Sequence, residues 1–292
     1  MSELGVGTAT FMPGYGLGGA APGRAEAAEL LRDAIAAGIR YVDTAAGYGC
    51  AEAVIGEVAA DIEACGVRIC TKASASAVRA NGVLPLLRES LAALRLPRVD
   101  ALLLHSAGDD ELCDGTLAER LREARASGLV SRTGATTYGI RDATLALAQD
   151  WCQTIQVEHS VINPSVLKAL DTTSARAEIV VRSVLCKGLL SARRRYAAAL
   201  ASGLESTLDA LEQLAAEWGW SLPELAIRYA LDTPGVDVVV VGMSTPAELE
   251  VALAAAARPH LSEDAFAALA RFDCSAADAA HPERWPERVE GA

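Results

Sequence analysis

Two hydrophobic rhythms alternate along the chain. Short apolar runs recur at "LGVGTATF" (4–11), "IRYVDTA" (39–45), "VRICTKA" (67–73), "VDALLLHS" (99–106), "VSRTGATT" (130–137), "TIQVEH" (154–159), "EIVVRS" (178–183) and "VDVVVVGM" (236–243). Between them lie longer alanine- and leucine-rich stretches with a helical period. In "RAEAAELLRDAIAAG", Ala27, Leu30, Leu31, Ala34 and Ile35 share one helix face, and Gly38 stands where the helix would stop. "LPLLRESLAALRL" and "LAERLREARASG" repeat the pattern, and "TPAELEVALAAAA" opens with Thr245 as N-cap and Pro246 as first helical residue.

Strands covered on both faces read as continuous apolar runs, as "ALLL" and "VDVVVV" do. Repeated strand-then-helix units in a chain of 292 residues predict an α/β fold, a single (β/α)8 TIM barrel spanning residues 1–292. Two extra helices, "ESTLDALEQLAAEWG" and "PELAIRYAL", are expected between the seventh and eighth strands, and "SEDAFAALARF" forms a last helix. From about residue 275 to 292, "SAADAAHPERWPERVEGA" carries prolines and no period, and is expected to be a loosely packed extension.

One motif points elsewhere. Gly14-Tyr15-Gly16-Leu17-Gly18-Gly19 matches G-x-G-x-x-G after the first strand, and Asp43 follows at the end of the second. In a dinucleotide-binding turn the last glycine opens the helix, so that free N–H groups meet a pyrophosphate. Here Ala20, Ala21, Pro22 and Gly23 intervene, which favours a glycine-rich loop over a barrel mouth. A short-chain dehydrogenase would also need a Tyr-x-x-x-Lys pair, and no tyrosine has a lysine four residues on.

Composition narrows the partners. A net charge of −12 disfavours nucleic acid and anionic membranes, and no run of 18 apolar residues offers a membrane span. The cysteines number seven, an odd count without a C-x-x-C pair, which suits reduced thiols rather than disulfides or a zinc site. With no secretory layout at the start, the expected location is cytoplasmic. The expected state is a monomer or weak homo-oligomer.

In a barrel of this kind the site lies at the C-terminal ends of the strands. Asp43 ends the second run and Tyr48 follows it; Lys72 ends the third and His105 the fourth. Singly, each has an ordinary structural explanation: a turn cap, a rim lysine, a core histidine. On neighbouring strands, they converge. Within "DTAAGYGCAEAVIGE", "TKA" and "LLLHS", these four resemble the catalytic tetrad of the aldo-keto reductases, and "IQVEHSVINPS" and "VLCKGLLS" extend the resemblance over nearly the whole chain.

The resemblance implies carbonyl reduction by hydride from a nicotinamide cofactor, NADP(H) or NAD(H), on a small-molecule aldehyde or ketone, sugars or biosynthetic intermediates included. Tyr48 would be the general acid. A free phenol has a pKa of about 10, and a neighbouring ammonium lowers it. Lys72 would supply that charge, Asp43 would hold Lys72, and His105 would bind the carbonyl oxygen. Alternatives are oxidation of an alcohol by the same site, or a nicotinamide-binding regulatory protein.

The same resemblance implies that Thr136, Thr137 and Gln156 meet the nicotinamide carboxamide, with Thr137 replacing an asparagine. Arg182 stands where many members place a ring-stacking tyrosine, and it would stack on the ring or reach an anionic substrate. After the last strand come Gly242, Met243, Ser244 and Thr245. Glu248 occupies a usually basic position, and Val251-Ala252 replaces a Glu-Asn pair. A carboxylate there repels a 2′-phosphate, so relaxed or NADH-leaning use is expected, with the helix N-terminus at Ser244 and Thr245 left as a phosphate seat. Arg193-Arg194-Arg195 is either a solvated surface or a pyrophosphate clamp. Met12, Tyr15, Asp109, Tyr196 and Trp285 are candidates for the substrate pocket.

Overall fold

A computed structural model describes residues 2–18, 20–172, 176–196 and 203–285. Its centre is a closed barrel of parallel strands in sequence order: β1 (Glu3–Gly7), β2 (Tyr41–Asp43), β3 (Arg68–Ala73), β4 (Val99–Leu104), β5 (Val130–Thr136), β6 (Thr154–Glu158), β7 (Glu178–Arg182) and β8 (Val238–Gly242). Closure pairs β8 with β1 from Glu3↔Val238 to Gly7↔Gly242. The open sheet required by the dinucleotide motif is thereby overturned. Gly14, Gly16 and Gly18 all have positive φ, and the Leu17 N–H donates to the Lys187 carbonyl at 2.9 Å, which lays the glycine loop against the loop after β7.

The first strand is shorter than its apolar run. Thr8–Phe11 coil into a 3-10 turn because both threonine hydroxyls find carbonyls across the mouth, Thr8 on Asp43 at 3.0 Å and Thr10 on Met243 at 2.8 Å. Inside the barrel, Tyr41, Cys70, Leu103, Val180, Val238 and Val240 fill the lumen, so it is a packed core and not a pore. Gly134 of β5 is fixed by packing. A Cβ there would overlap the Thr154 carbonyl of the neighbouring strand.

At the N-terminal end of the barrel, ion pairs tie the strand starts together. Arg68 bridges Glu3 and Glu178, and Arg132 bridges Asp100 and Glu178. Outside, helix Arg24–Ala36 buries Ala27, Leu30, Leu31, Ala34 and Ile35, the face its period marked. Each such leucine or isoleucine contributes about 1.5–3 kcal/mol on burial. The two extra helices are Glu205–Glu217 and Leu222–Asp232. The second starts with a reciprocal cap between Ser221 and Glu224.

The expected loose extension is not loose as far as it is described. Ala280, His281 and Pro282 are buried, and the Asn163 amide donates to the Ala280 carbonyl at 3.4 Å. His281 Nε2 lies 2.7 Å from the Ser275 carbonyl, and Trp285 donates its indole N–H to Ala279 at 3.3 Å. Short 3-10 turns carry this packing, which a helical or strand period does not register. Residues 286–292 lie outside the described residues.

Candidate active site

Three consecutive units bring the four candidate residues to one place. β2 ends on Asp43, β3 carries Lys72 one residue before its end, and His105 follows β4 directly. Lys72 is 1% exposed and Asp43 4%. The Lys72 ammonium donates to both carboxylate oxygens at 2.6 Å and to the Thr44 carbonyl at 2.8 Å. Its three N–H groups are thus matched by three acceptors. Burial alone would drive its pKa down, but Asp43 outweighs burial and holds it above the ordinary lysine range.

Tyr48 leans on this pair. Lys72 Nζ lies 5.0 Å from its ring centroid, and the His105 ring meets it edge-on with centroids 5.6 Å apart at 76°. The net shift of the phenol differs from the expected one. Burial raises its pKa and wins over the lowering by Lys72 and Arg182, with Asp43 adding to the rise. At neutrality the phenol is therefore protonated. Burial and the Lys72 charge push the His105 imidazole down to about 4, against the pull of Asp43, so it is neutral there.

Asp43, Tyr48 and His105 line a cavity of about 560 Å³, which Gly242, Ala247, Glu248 and Val251 also line. A scan against protein-family models matches residues 3–273 to the aldo/keto reductase family.

The chain belongs to the aldo/keto reductase family.

It is an oxidoreductase by that membership. No curated protein sequence matches it. Among solved structures, an aldo-keto reductase from Bacillus halodurans in its holo form is 20% identical, with a TM-score of 0.79 over 94% of this chain and 93% of that one. An aldo/keto reductase from Klebsiella pneumoniae in complex with NADP and acetate is 21% identical, with a TM-score of 0.75 over 93% and 91%. A glycerol dehydrogenase from Gluconobacter oxydans is 18% identical, with a TM-score of 0.73 over 92% and 90%. These likenesses carry the fold.

Other expected site residues of this reductase fall in mixed positions. Thr136, Gln156 and Arg182 line the cavity. The Thr136 hydroxyl accepts the Ser106 N–H at 2.6 Å. Thr137 is fully buried, its hydroxyl lacks a partner, and its carbonyl accepts from Arg182 at 3.0 Å. Gln156 donates its side-chain amide to Asp43 at 2.7 Å, a link the sequence reading did not contain. The Arg182 guanidinium lies 4.3 Å from the centroid of Tyr138, a cavity residue also missed.

The helix Pro246–Ala257 is already served by its own side chains. The Thr245 hydroxyl accepts the Glu248 N–H at 3.3 Å. Glu248 accepts from the Ser244 N–H at 2.7 Å and from the Ser244 hydroxyl at 2.9 Å, and it pairs with Arg193. Of the groups read as a phosphate seat, those of Ser244 are thus occupied by the chain's own carboxylate and the Thr245 hydroxyl by the Glu248 N–H. Of the triple arginine, Arg193 faces the cavity, whereas Arg194 pairs with Asp209 and Glu212 and Arg195 packs over Tyr196.

Of the substrate candidates, Tyr15 lines the cavity. Asp109 pairs with Arg141, and Tyr196 packs against Gly18. Trp285 sits beside Lys187, whose ammonium is 6.0 Å from one of its ring centroids. Met12 is half-buried in the loop after β1. Lys187 and Glu283 complete the wall near Arg182 and were missed, because neither lies at a strand end.

Proposed function

We propose that this reductase reduces an aldehyde or ketone to an alcohol with a nicotinamide cofactor, Tyr48 giving the proton. The observation that carries this reading is the Asp43–Lys72 pair packed beneath a phenol that shares a cavity with a neutral imidazole. When bound, the cofactor supplies hydride. Its place is supported by the cavity's reach from Tyr48 to the helix at Pro246, within the size range of ligand pockets, and by the Gln156 and Thr136 side chains along the way.

The substrate oxygen would sit between the Tyr48 hydroxyl and the His105 imidazole. His105, neutral at working pH, would donate a hydrogen bond to that oxygen without competing as a charged acid. As alkoxide character develops there, the phenolic proton passes from Tyr48 Oη to the oxygen. The Lys72 ammonium stabilises the phenolate left behind, and Asp43 keeps the ammonium charged and aimed. The reverse sequence would oxidise an alcohol. The glycerol dehydrogenase likeness is compatible with either direction.

We further propose cofactor use that does not favour NADPH. The Klebsiella pneumoniae protein is in complex with NADP, but here Glu248 fills the helix N-terminus and neutralises Arg193. A cytoplasmic location is supported by seven cysteines that are all free. No helix among the described residues is long and apolar enough to cross a membrane.

Tyr48→Phe is the test of the chemistry. Reduction of a general aldehyde panel should fall about a thousandfold or more while nicotinamide fluorescence still reports cofactor binding. An unchanged rate would remove Tyr48 from the role of acid. Absence of cofactor binding in the parent protein would favour a different function for the barrel.

A further inference from the structure

Most charges at the cavity have partners. Lys72 is matched by Asp43 and Arg193 by Glu248. Glu283 is 3.1 Å from His281 Nδ1. Two cations are exceptions. Arg182 donates to the Thr137 carbonyl and, at 3.2 Å, to the Ser183 hydroxyl. Lys187 donates to the Pro282 carbonyl at 2.9 Å. Among the described residues, neither has a carboxylate within ion-pair distance, and the surface each keeps open faces the cavity.

The backbone around them is strained to hold them there. Ser183, Cys186 and Lys187 all adopt positive φ, at 62°, 46° and 52°. Three non-glycine residues in that region within one loop is a costly arrangement, and such strain concentrates where a loop must present groups to a ligand. Enclosed cations short of a direct ion pair are costly too: Glu158 acts on Arg182 and Glu283 on Lys187 only from beyond ion-pair distance, so an entering anion would gain a direct contact with each. Arg182 is also close enough to act electrostatically on both Tyr48 and His105. A group bound by it lies near the reacting carbonyl.

We propose that the substrate carries an anionic group, a carboxylate or a phosphate, close to its carbonyl, and that Arg182 and Lys187 bind that group. This rests on the carbonyl-reductase reading above and adds the substrate class to it. Arg182 offers a planar fork suited to two oxygens of one anion, and Lys187 offers a point charge from the other side. Tyr15 lies beside Lys187, whose ammonium is 5.9 Å from its ring centroid, and within electrostatic reach of Arg182. Glu158, which acts on Arg182, and Glu283, which acts on Lys187 and lies 3.1 Å from His281, are the carboxylates an entering anion must outcompete.

The test compares matched substrates with saturating cofactor. 4-Carboxybenzaldehyde is set against methyl 4-formylbenzoate, and glyceraldehyde 3-phosphate against glyceraldehyde. At least one anionic member should exceed its neutral partner in kcat/KM by about tenfold or more, chiefly through KM. The pair that responds identifies carboxylate or phosphate. In Arg182→Gln and Lys187→Gln the anionic-to-neutral ratio should collapse toward one, whatever happens to the overall rate, and Arg182→Lys should restore part of it. A ratio near one in the parent protein, with neutral carbonyls still reduced, overturns this inference and leaves the reductase reading standing. A ratio that survives both glutamine variants overturns it as well and makes Arg182 a prop for the Thr137 loop. Failure to reduce any carbonyl removes the reductase reading and this inference with it.

Discussion

Gln156 reaches from β6 across the barrel mouth and donates to Asp43 at 2.7 Å, so the carboxylate that holds Lys72 is itself held. The glutamine thereby supports the tetrad in addition to lining the cavity. Removing its amide leaves a buried carboxylate oxygen with one donor fewer. Gln156→Leu should lower kcat by about tenfold, and the pH profile of kcat should shift, because the Lys72 charge that tunes Tyr48 is less firmly placed. Steady-state kinetics between pH 6 and 10 checks this. A change confined to cofactor affinity would assign the glutamine to the nicotinamide alone.

The Glu248–Arg193 pair sets up a second expectation. The carboxylate caps the helix at Pro246 and pairs off Arg193, which lines the cavity beside it. Glu248→Gln retains a side chain able to accept the Ser244 N–H but releases Arg193. NADPH should then bind about tenfold more tightly, with NADH changed little, since a freed guanidinium and the helix N-terminus favour a phosphate dianion. Fluorescence titration with each cofactor reads the ratio. If the parent protein already binds NADPH tenfold better than NADH, the carboxylate does not govern the choice.

Acid should weaken the fold through buried imidazoles. His159 is 1% exposed, stacks on Tyr229 at 5.4 Å, and lies 2.9 Å from the Thr233 hydroxyl. Burial, with Lys168 adding to it, pushes its pKa down to about 3. In the unfolded chain an imidazole takes up its proton near pH 6.5. Between these values the unfolded state binds more protons, so stability falls as pH drops through the window. At pH 4.5 this single group costs about 2.5 kcal/mol relative to pH 7. His159→Phe keeps the stack and removes the titration. Denaturant unfolding at the two pH values should show a smaller acid loss in the variant by about that amount. Equal losses would place the acid sensitivity elsewhere.

The fold was legible because each strand is a short apolar run and each helix shows its period, features set by which faces are covered. The meeting of the candidate residues was legible for a related reason: Asp43, Lys72 and His105 are polar residues at the exits of apolar runs, where the mouth of a barrel lies. What was not legible depends on contacts between distant segments. The 275–285 stretch is held by Asn163, Lys187 and backbone carbonyls, and none of these leaves a mark in its own sequence. Lys72 does lower the Tyr48 phenol as expected, but the net shift runs upward. An ammonium nearby lowers a phenol, but the enclosure that the same packing creates outweighs it. Glu248 was recognised as a departure, yet its capture of Ser244 and Arg193 needed coordinates.

The charge cluster of Glu3, Arg68, Asp100, Arg132 and Glu178 has a wider consequence. It ties the strand starts together at the end of the cylinder opposite the candidate site. Robustness is anchored in the base and reactivity in the rim. Loops around the rim are therefore free to be rewritten for new chemical tasks while the cylinder itself keeps its shape.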